Sequence, residues 1–507
     1  MDHAGHSACA FCDLPPHVVL ISYKTLKVLK TFRVSFHITM QKTFTQLDNF
    51  GHSLKAASYL SQPKSAEEIY SAFKLAKKLG LTVTARGAGR SYNDASLNGG
   101  GITLDMSAMS QIIKWDQAKG QVRCEPGVTL EQLWKIVEPH GWWPPVVSGT
   151  MKTTLGGCLA ANIHGKNNFK MGPIGEHVLG FTAILPTGAE ITCSPKKNAD
   201  LFYAMIGGLG MLGIFTSITL QMKRIHSGLL AVDAWPVQNL RRQLFSLLDG
   251  APKYDYIVGW MDGIAGGYAL GRGQIHAARY LHEGEDKNPQ ETMKIQNQIL
   301  PPRIFGVFPK GLLHYFISPF TNNLGTWGIN TAKYIASLRK HTFRQSHAAF
   351  HFLLDYVPNW ELSYGRGGLI QYQSFLPKET AESAWTEMLK LSHQNRLPFY
   401  LGVTKRHRPD QFLLTHAVDG FSLAMDFKVS EGNRAKLSAM LQEFDRIVLA
   451  NGGRFYFAKN SETSAETTLA FYGKETAAKF KKLKKRCDPN GLLESDLYRR
   501  IFREKGG

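Results

Sequence analysis

The sequence is short of cysteine, of acidic residues and of long apolar runs. Its six cysteines are scattered over 507 residues, which is typical of a reduced cytoplasmic protein and argues against a disulfide framework. Cys9 and Cys12 form a single C-x-x-C pair, and without a second pair neither a zinc site nor any other metal site is predicted. No run of 18 apolar residues occurs, so no segment is predicted to span a membrane.

The shortage of acids leaves a net charge of +20. A surplus of this size indicates nucleic acid, an anionic membrane surface or an anionic ligand as a partner. The densest basic run lies at 479–486 and comes without zinc-finger spacing or an RNA-binding aromatic signature, so no nucleic-acid partner is predicted. A solvated helix face explains this run as well as a partner does.

The length of the chain exceeds what one ordinary core holds, so two domains are predicted. Residues 40–225 alternate short helices and strands, for example a helix over 65–80 that Ser65 begins and Gly80 ends. After a boundary near 225, residues 226–453 contain longer loops, dense aromatics and alternating runs typical of strands with one polar face. The basic residues of the first 39 positions fit a membrane-touching arm or an extension before a natural start at Met40, and we prefer the extension.

Three glycine-rich segments follow one another in the first half of the chain. A-R-G-A-G-R-S-Y-N-D (85–94) comes directly after a predicted strand, S-G-T-M-K-T-T-L-G-G (148–157) leads to H-G-K-N, and G-G-L-G-M-L-G-I (207–214) opens another strand. Backbone amides in a loop like the first form a nest for anions, and its arginines add charge-assisted hydrogen bonds to a pyrophosphate. The spacing is not G-x-G-x-x-G and no Rossmann βαβ unit surrounds it, so a nicotinamide dinucleotide domain is disfavoured.

The order of these segments resembles the FAD-binding domain of the vanillyl-alcohol-oxidase and p-cresol-methylhydroxylase superfamily. Within that superfamily the chain resembles the decaprenylphosphoryl-β-D-ribose 2-oxidase family over about residues 40–500. The motifs that carry the resemblance are R-G-A-G-R-S-Y-N-D, I-H-G-K-N, G-V-F-P-K-G (306–311), L-I-Q-Y-Q (369–373), Y-F-A-K (456–459) and D-P-N-G-L-L-E-S-D (488–496). The resemblance implies an α+β, two-domain FAD-binding fold whose substrate domain is an antiparallel sheet flanked by helices. It also implies that residues 454–507 return to the FAD-binding domain.

For the cofactor, the resemblance implies FAD with its pyrophosphate on the 86–94 loop. Many members of the superfamily bind flavin covalently through a histidine of this loop, and Tyr92 stands at the matching position, so the FAD is expected to be non-covalent. The residues expected to bind it are Arg86, Gly87, Ala88, Gly89, Arg90, Ser91, Tyr92, Gly149, Thr150, Thr154, Gly156, Gly157, His164, Asn167, Gly213, Ile214 and Tyr456.

For the reaction, the resemblance implies hydride transfer from C2 of a ribose to flavin N5, which gives a 2-keto sugar. Such a step needs a group that deprotonates the hydroxyl, a cation beside the flavin and a substrate held close. The expected catalytic residues are Lys459, Tyr92, His164, Gln373 and Lys405. The expected substrate-binding residues are Trp260, Tyr364, Gln371, Gln373, Lys405, Ser422 and Lys459.

Several of these residues have simpler explanations. A lone strand lysine such as Lys459 is usually a surface residue, and His164 is nearly as typical of a structural histidine. Gln371 and Gln373 share one face of a strand, which fits a pocket wall or an exposed sheet surface. Trp260 and Tyr364 fit ordinary core packing equally well.

The chain also departs from the family pattern, because Ala424 stands where the similar oxidase has an active-site cysteine and Ser422 where asparagine is common. The implied substrate is a lipid-linked sugar phosphate, with a short-chain NAD(P)H-dependent reductase as partner in an epimerisation. The implied location is cytoplasmic, with peripheral contact at the inner membrane surface. The alternatives are a soluble sugar or aldonolactone oxidase that uses oxygen, and a non-catalytic basic flavoprotein.

Overall fold

The computed structural model describes residues 43–304 and 308–503. The predicted extension over 1–39, the C-x-x-C pair and the first two residues of the 306–311 motif lie outside the described residues. Both ends of the described chain, together with three large sheets and two two-stranded ones, form one body with a mixed α and β architecture. The predicted α+β class is therefore confirmed.

The first sheet contains β1 (Thr43–Asp48), β2 (Lys55–Ser61), β3 (Val83–Arg86) and β4 (Ile102–Asp105) in the order β1-β2-β4-β3. Helix α1 (Ala66–Leu79) links β2 to β3, and β4 runs parallel to both. The helix begins where the Ser65 side chain accepts the Glu68 amide and ends at Gly80, whose φ of 66° suits glycine. These boundaries confirm the helix predicted from the capping pattern.

The second sheet is antiparallel, in the order β5-β6-β9-β7-β8. Its strands are β5 (Ile112–Asp116), β6 (Gln121–Cys124), β7 (Val178–Ile184), β8 (Glu190–Cys193) and β9 (Ile214–Gln221). The helices that accompany it are α2 (Leu130–Val137), α3 (Leu155–Ala160), α4 (Asn168–Met171) and α5 (Ala199–Met205). A two-residue pair joins Trp142–Trp143 to Lys223–Arg224. The glycine-rich segments lie in the loops before α3 and before β9.

The third sheet has eight antiparallel strands in the order β13-β10-β12-β11-β15-β16-β14-β17. They are β10 (Leu229–Val237), β11 (Tyr256–Met261), β12 (Gly273–Tyr280), β13 (His341–Ser346), β14 (Leu369–Pro377), β15 (Leu401–His407), β16 (Gly420–Lys428) and β17 (Arg454–Phe455). The longer helices beside it are α6 (Leu240–Gly250), α10 (Asn323–Ala336), α12 (Ala381–Gln394) and α13 (Arg434–Ala450). The shorter ones are α7 (Pro289–Thr292), α8 (Ile295–Gln298), α9 (Leu313–Ile317) and α11 (His347–His351).

The polar face that alternation predicted for two strands of this sheet is present, and it is buried rather than exposed. Alternation in β14 and β16 predicted strands with one polar face, and eight of the nine residues of β14 and seven of the nine residues of β16 are buried, the exceptions being Pro377, Ala424 and Lys428. Helix α13 covers one face, where Tyr372 donates to Asp445 (2.9 Å). Loops of the first half of the chain cover the other face, and this is the face that carries Gln371 and Gln373.

The last part of the chain closes the fold against its beginning. Helix α14 (Ala465–Cys487) and helix α15 (Asp496–Ile501) follow β17, and between them Leu493 pairs with Val83 of β3. Arg500 forms an ion pair with Asp94 (2.7 Å). In the described residues, no helix has the length and apolar content needed to cross a bilayer. The predicted domain boundaries near 225 and 453 stay predictions, although the first of them falls between the second and third sheets.

Candidate active site

A deep cavity of about 670 Å³ lies between the glycine-rich loops and the third sheet. Its size is that of a pocket for a cofactor or a drug-sized ligand. One end is formed by the 87–92 loop, the 147–157 segment and the start of β9, and the other by strands β11, β12, β14, β15 and β16. The cavity therefore joins all three predicted glycine segments to the polar strands that follow the predicted boundary.

The 87–92 loop presents backbone amides rather than side chains to the cavity. Among the described residues, the amides of the loop from Ala88 to Ser91 have no hydrogen-bond acceptor, which suits a pyrophosphate held by backbone N–H groups. Arg90 adds a guanidinium that lies 5.0 Å from the Phe50 ring centroid and keeps a buried Nε without a partner. The loop can take this path because glycine stands at 87, where a Cβ would lie 2.1 Å from Thr154 Oγ1.

The second glycine-rich segment (148–157) is bound by the Asp355 carboxylate, which comes from the other half of the chain. Asp355 accepts hydrogen bonds from Thr150 Oγ1 and from the Met151 amide, both at 2.7 Å. Burial raises the pKa of Asp355, while these two donors act in the opposite direction. Thr154 begins helix α3 by accepting the Gly157 amide, so the cavity wall here consists of small residues and a helix N-terminus.

At the other end, five neighbouring strands each contribute one side chain to a row across the cavity wall. Register pairs Gln274 with Trp260, Trp260 with Val403, Val403 with Ala424 and Ala424 with Gln373, and all five residues line the cavity. Side chains two positions away on a strand share its face. For this reason Gln371, Lys405 and Ser422 line the cavity too.

Lys459 lies where the two ends of the cavity meet. Its Nζ is 3.8 Å from the centroid of the Tyr92 ring. Its backbone amide donates a hydrogen bond to the Tyr456 carbonyl (2.9 Å) and so closes a turn. Behind this lysine, Asp426 is fully buried and its Oδ1 accepts from Gln371 Nε2, whereas Oδ2 has no partner. Burial lowers the pKa of Lys459 and raises the pKa of Asp426. The pair therefore releases a proton more readily than an exposed lysine does.

His164 is a buried, neutral histidine beside Lys459 and Lys405. Gln373 Nε2 donates to its Nε2 at 3.2 Å, and its Nδ1 has no partner. Burial lowers the pKa of His164 well below its usual range, and nearby Lys405 lowers it further. Burial also lowers the pKa of Lys405 to about 8. The site thus places lysines of lowered pKa beside a neutral imidazole. Burial and neighbouring charges of this kind shift the pKa values of acid–base groups in active sites.

Most of the site residues that sequence predicted line this cavity. They are Gly87, Ala88, Gly89, Arg90, Ser91, Tyr92, Gly149, Thr150, Thr154, Gly156, Gly157, His164, Gly213, Ile214, Trp260, Gln371, Gln373, Lys405, Ser422, Tyr456 and Lys459.

Three predicted site residues stand behind the wall instead. Arg86 donates hydrogen bonds to Ser96 and to the Asp48 carbonyl (2.8 Å). These bonds hold the 87–92 loop without placing Arg86 in the cavity wall. Asn167 donates to the Pro145 carbonyl (2.8 Å). Tyr364 packs in a buried aromatic cluster next to Tyr92. None of the three lines the cavity, and their contact with a ligand stays a prediction.

The sequence did not single out several polar residues of the site. Asp426 lies two residues after Ala424, so period-2 spacing from Ser422 could have found it. Lys166, inside the I-H-G-K-N motif, lines the cavity and donates to the carbonyls of Phe350 and His351. Lys333 of α10 also lines it, 4.2 Å from the Trp260 ring centroid, and only the tertiary fold brings it there.

Comparison with known proteins agrees with this arrangement. Residues 57–194 match the family model described as an FAD binding domain. The chain is 31% identical over 453 residues to the decaprenylphosphoryl-β-D-ribose oxidase of Mycolicibacterium smegmatis, a match that covers 88% of this chain and 94% of that protein. The chain belongs to this oxidase family. It is an FAD-dependent oxidoreductase with the α+β, two-domain FAD-binding fold of the vanillyl-alcohol-oxidase type, as the motifs predicted.

Other relatives of the family share a smaller part of the chain. The L-gulonolactone oxidase of Bos taurus is 30% identical over 160 residues, covering 32% of this chain and 36% of that protein. Cytokinin dehydrogenase 10 of Oryza sativa is 29% identical over 256 residues, which is 46% of each chain. Both matches extend over less than half of the chain.

The residues of the cavity fit FAD. The free amides of the loop over 88–91 and the Arg90 guanidinium suit its pyrophosphate, and glycines at 87 and 156 let the backbone approach it closely. The unpaired Tyr92 hydroxyl and His164 Nδ1 offer hydrogen bonds to a ring system. Lys459 also lines the cavity, where its amine would suit a ring that takes up negative charge.

The alanine at position 424 predicts that thiol-directed inhibitors do not react at this site. It lines the cavity but carries no nucleophile, while the cavity-lining Cys158 is 1% exposed and burial raises its pKa to about 12. We expect an electrophile that inactivates cysteine-containing members of the family to bind this enzyme reversibly. The Ala424→Cys variant should become irreversibly labelled at residue 424, which intact-protein mass spectrometry would detect; equal labelling of the unmodified enzyme would contradict the assignment.

Proposed function

We propose that the enzyme oxidises the 2-hydroxyl of a polyprenyl-phosphate ribose to a 2-keto sugar, the first half of a ribose-to-arabinose epimerisation. The observation that carries this proposal is the row of polar and cationic side chains that continues the FAD site. Lys459, Lys405 and Lys333 line this end of the cavity without a carboxylate on its surface. Such a lining favours an anionic sugar substrate over a neutral one.

The proposed chemistry begins with orientation of the sugar. Trp260 and Ala424 form an apolar floor in the row of five strands, and Gln371 and Gln373 flank it with amide groups that bind hydroxyls. Holding the C2–H in one orientation supplies much of the rate gain that enzymes obtain from positioning. FAD, when bound, accepts the hydride.

Proton transfer in this proposal belongs to the Lys459–Asp426 pair. With Lys459 neutral and Asp426 ionised, Nζ takes the proton of the C2 hydroxyl as the C–H bond breaks. The ammonium group that results on Lys459 would stabilise negative charge on the bound cofactor. His164 stays neutral throughout, because burial and the nearby cations hold its pKa low, and its Nδ1–H remains a hydrogen-bond donor.

The proposal includes non-covalent FAD, because Tyr92 replaces the histidine that attaches flavin in many relatives. It also includes a short-chain NAD(P)H-dependent reductase that converts the 2-keto sugar to the arabinose epimer, and peripheral contact with the membrane that holds the substrate. The 31% identity to a decaprenylphosphoryl-β-D-ribose oxidase over most of both chains supports the substrate.

Two measurements test the proposal. Acid precipitation should release all of the flavin into the supernatant, whereas flavin in the pellet would mean covalent attachment. Under anaerobic conditions, a short-chain polyprenyl-phosphate ribose should bleach the flavin and lose two hydrogens by mass spectrometry, while free aldonolactones should not. Flavin reduction by lactones with hydrogen peroxide formation in air, and none with the lipid-linked sugar, would favour a soluble lactone oxidase and overturn the proposal.

A further inference from the structure

Helix α10 buries its polar side and exposes apolar side chains, which is the opposite of an ordinary surface helix. Its polar side faces the protein: Asn330 is 4% exposed and donates to Asp262 (2.9 Å), and Thr326, on the same side, is 6% exposed. Its opposite side carries Leu324 (76% exposed) and Trp327 (54% exposed). A surface helix normally buries its apolar stripe and exposes its polar one.

The apolar stripe extends beyond this helix. Leu324, Trp327 and Ile335, together with Leu338 just after the helix, follow one another at spacings of a single helical face. Exposed apolar side chains before the helix continue the surface. We call this set the apolar patch, and its residues are Leu312, Tyr315, Phe320, Leu324, Trp327, Ile335 and Leu338. Clustering of this kind marks an interaction surface, since isolated exposed apolar residues are scattered.

The charge of the surrounding chain identifies the occupant. Residues 292–354 contain no aspartate or glutamate but seven lysines and arginines, namely Lys294, Arg303, Lys310, Lys333, Arg339, Lys340 and Arg344. An apolar, aromatic-bearing helix face with basic residues around it is the composition of a segment that lies in the interface of an anionic bilayer. A protein partner would need a negative surface that complements 63 residues without any acid. An anionic bilayer provides such a surface because its lipid headgroups are negatively charged.

The same helix also forms part of the active-site wall. Lys333 points from its inner side to the Trp260 ring (4.2 Å) and lines the cavity. Helix α10 therefore stands between the apolar patch and the sugar end of the cavity. A lipid-linked substrate could keep its hydrocarbon chain in the bilayer while its phosphate passes Lys333 toward Lys459.

We propose that the apolar patch docks this enzyme on the surface of an anionic phospholipid bilayer. The proposal deepens the proposed function and rests on it only where it concerns delivery of a lipid-linked substrate. Docking itself depends on the patch and on the basic segment around it, and it is measured without turnover.

The test uses the full-length, FAD-loaded enzyme and substrate-free vesicles. Vesicles of phosphatidylcholine with phosphatidylglycerol should bind the enzyme about tenfold or more tightly than phosphatidylcholine alone in a flotation assay, and high salt should weaken the binding. Leu324→Glu with Trp327→Glu should lower binding about tenfold or more, because carboxylates cannot enter the interface. The matched control is Phe245→Glu with Leu248→Glu, which changes two exposed apolar residues of α6 and should leave binding unchanged.

The outcomes separate the docking surface from the proposed function. The α10 double variant should keep its flavin and its thermal stability, and its flavin should still be reduced by a detergent-dispersed short-chain substrate. Unchanged vesicle binding in this variant would overturn the docking proposal whatever the substrate is. So would a dimer of the unmodified enzyme that the double variant converts to monomers, since the patch would then be covered by a second copy. Vesicle binding without oxidation of any lipid-linked sugar would overturn only the proposed function.

Discussion

Replacing Lys459 by methionine is expected to lower the rate of flavin reduction by substrate by about 10²- to 10³-fold, the usual cost of removing one group that stabilises developing charge. Methionine keeps the length of the side chain and its contact with the Tyr92 ring, so FAD should stay bound. The measurement is anaerobic stopped-flow absorbance of the flavin, with the FAD content of each preparation as a reference. A variant that reduces its flavin at the normal rate would remove Lys459 from the chemistry.

Lys459→Arg distinguishes the two roles assigned to this residue. Arginine keeps the positive charge but does not become neutral at any ordinary pH. A residue that serves only as a cation would be replaced by arginine with little loss. Because the proposed mechanism needs a neutral Nζ to take the hydroxyl proton, we expect Lys459→Arg to be almost as slow as Lys459→Met.

The pH profile tests the partner of Lys459. The rate of flavin reduction should rise with pH as Lys459 loses its proton. This rise should occur at a lower pH than the ordinary pKa of a lysine, because burial lowers the pKa of Lys459. The Asp426 carboxylate acts in the opposite direction and raises the pKa of Lys459. Asp426→Asn should therefore move the rise to lower pH while the variant keeps its FAD. A profile that does not move would mean that Asp426 has only a structural role.

Adding one methyl group at position 87 is the second change with a large expected effect. In Gly87→Ala the new Cβ would lie 2.1 Å from Thr154 Oγ1, so the loop and the start of α3 must separate. Overpacking of this kind costs about 1–3 kcal/mol, which corresponds to roughly 5- to 150-fold weaker FAD binding. We expect a pale protein after purification and a raised dissociation constant when FAD is titrated back.

Two further variants make this result specific. Gly99→Ala is the matched control, because the contact nearest to its Cβ would be Asp496 at an ordinary 3.6 Å. It should retain a full complement of FAD. Gly87→Ala combined with Thr154→Gly removes the atom that clashes and should recover part of the affinity. If Gly87→Ala binds FAD as the unmodified enzyme does, the close approach of the two loops is not needed for the cofactor.

Local patterns predicted the parts of the fold that local interactions decide. Ser65 and Gly80 delimited α1, and three glycine segments pointed to loops that meet at one cavity. Period-2 spacing placed Gln371 and Gln373 on one strand face. The burial of that face could not be predicted, because it depends on loops that reach it from more than 200 residues away, as the Gln373–His164 hydrogen bond shows with its separation of 209 residues.

Long-range register explains the rest of the site. Asp426 reaches Lys459 only because β16 lies between β14 and β15 while the 456–459 turn returns to β14. No spacing in the sequence encodes this. Helix α10 is a harder case, since its apolar spacing alone would predict the wrong side as buried. The buried side carries Asn330, which donates to Asp262 directly after the end of β11.

The 87–92 loop and the residue that follows it contact the 454–507 segment, so the FAD site cannot be complete before that segment has been synthesised. The Tyr92 amide donates to the Ala458 carbonyl (2.9 Å), and Asn93 binds the Phe457 carbonyl across 364 residues of sequence. Contacts this distant form late, because the entropy of closing the intervening chain must be overcome first. The nascent chain on the ribosome holds an unfinished FAD site until the 454–500 segment has emerged. We therefore expect the enzyme to bind FAD only after synthesis of the chain is nearly finished.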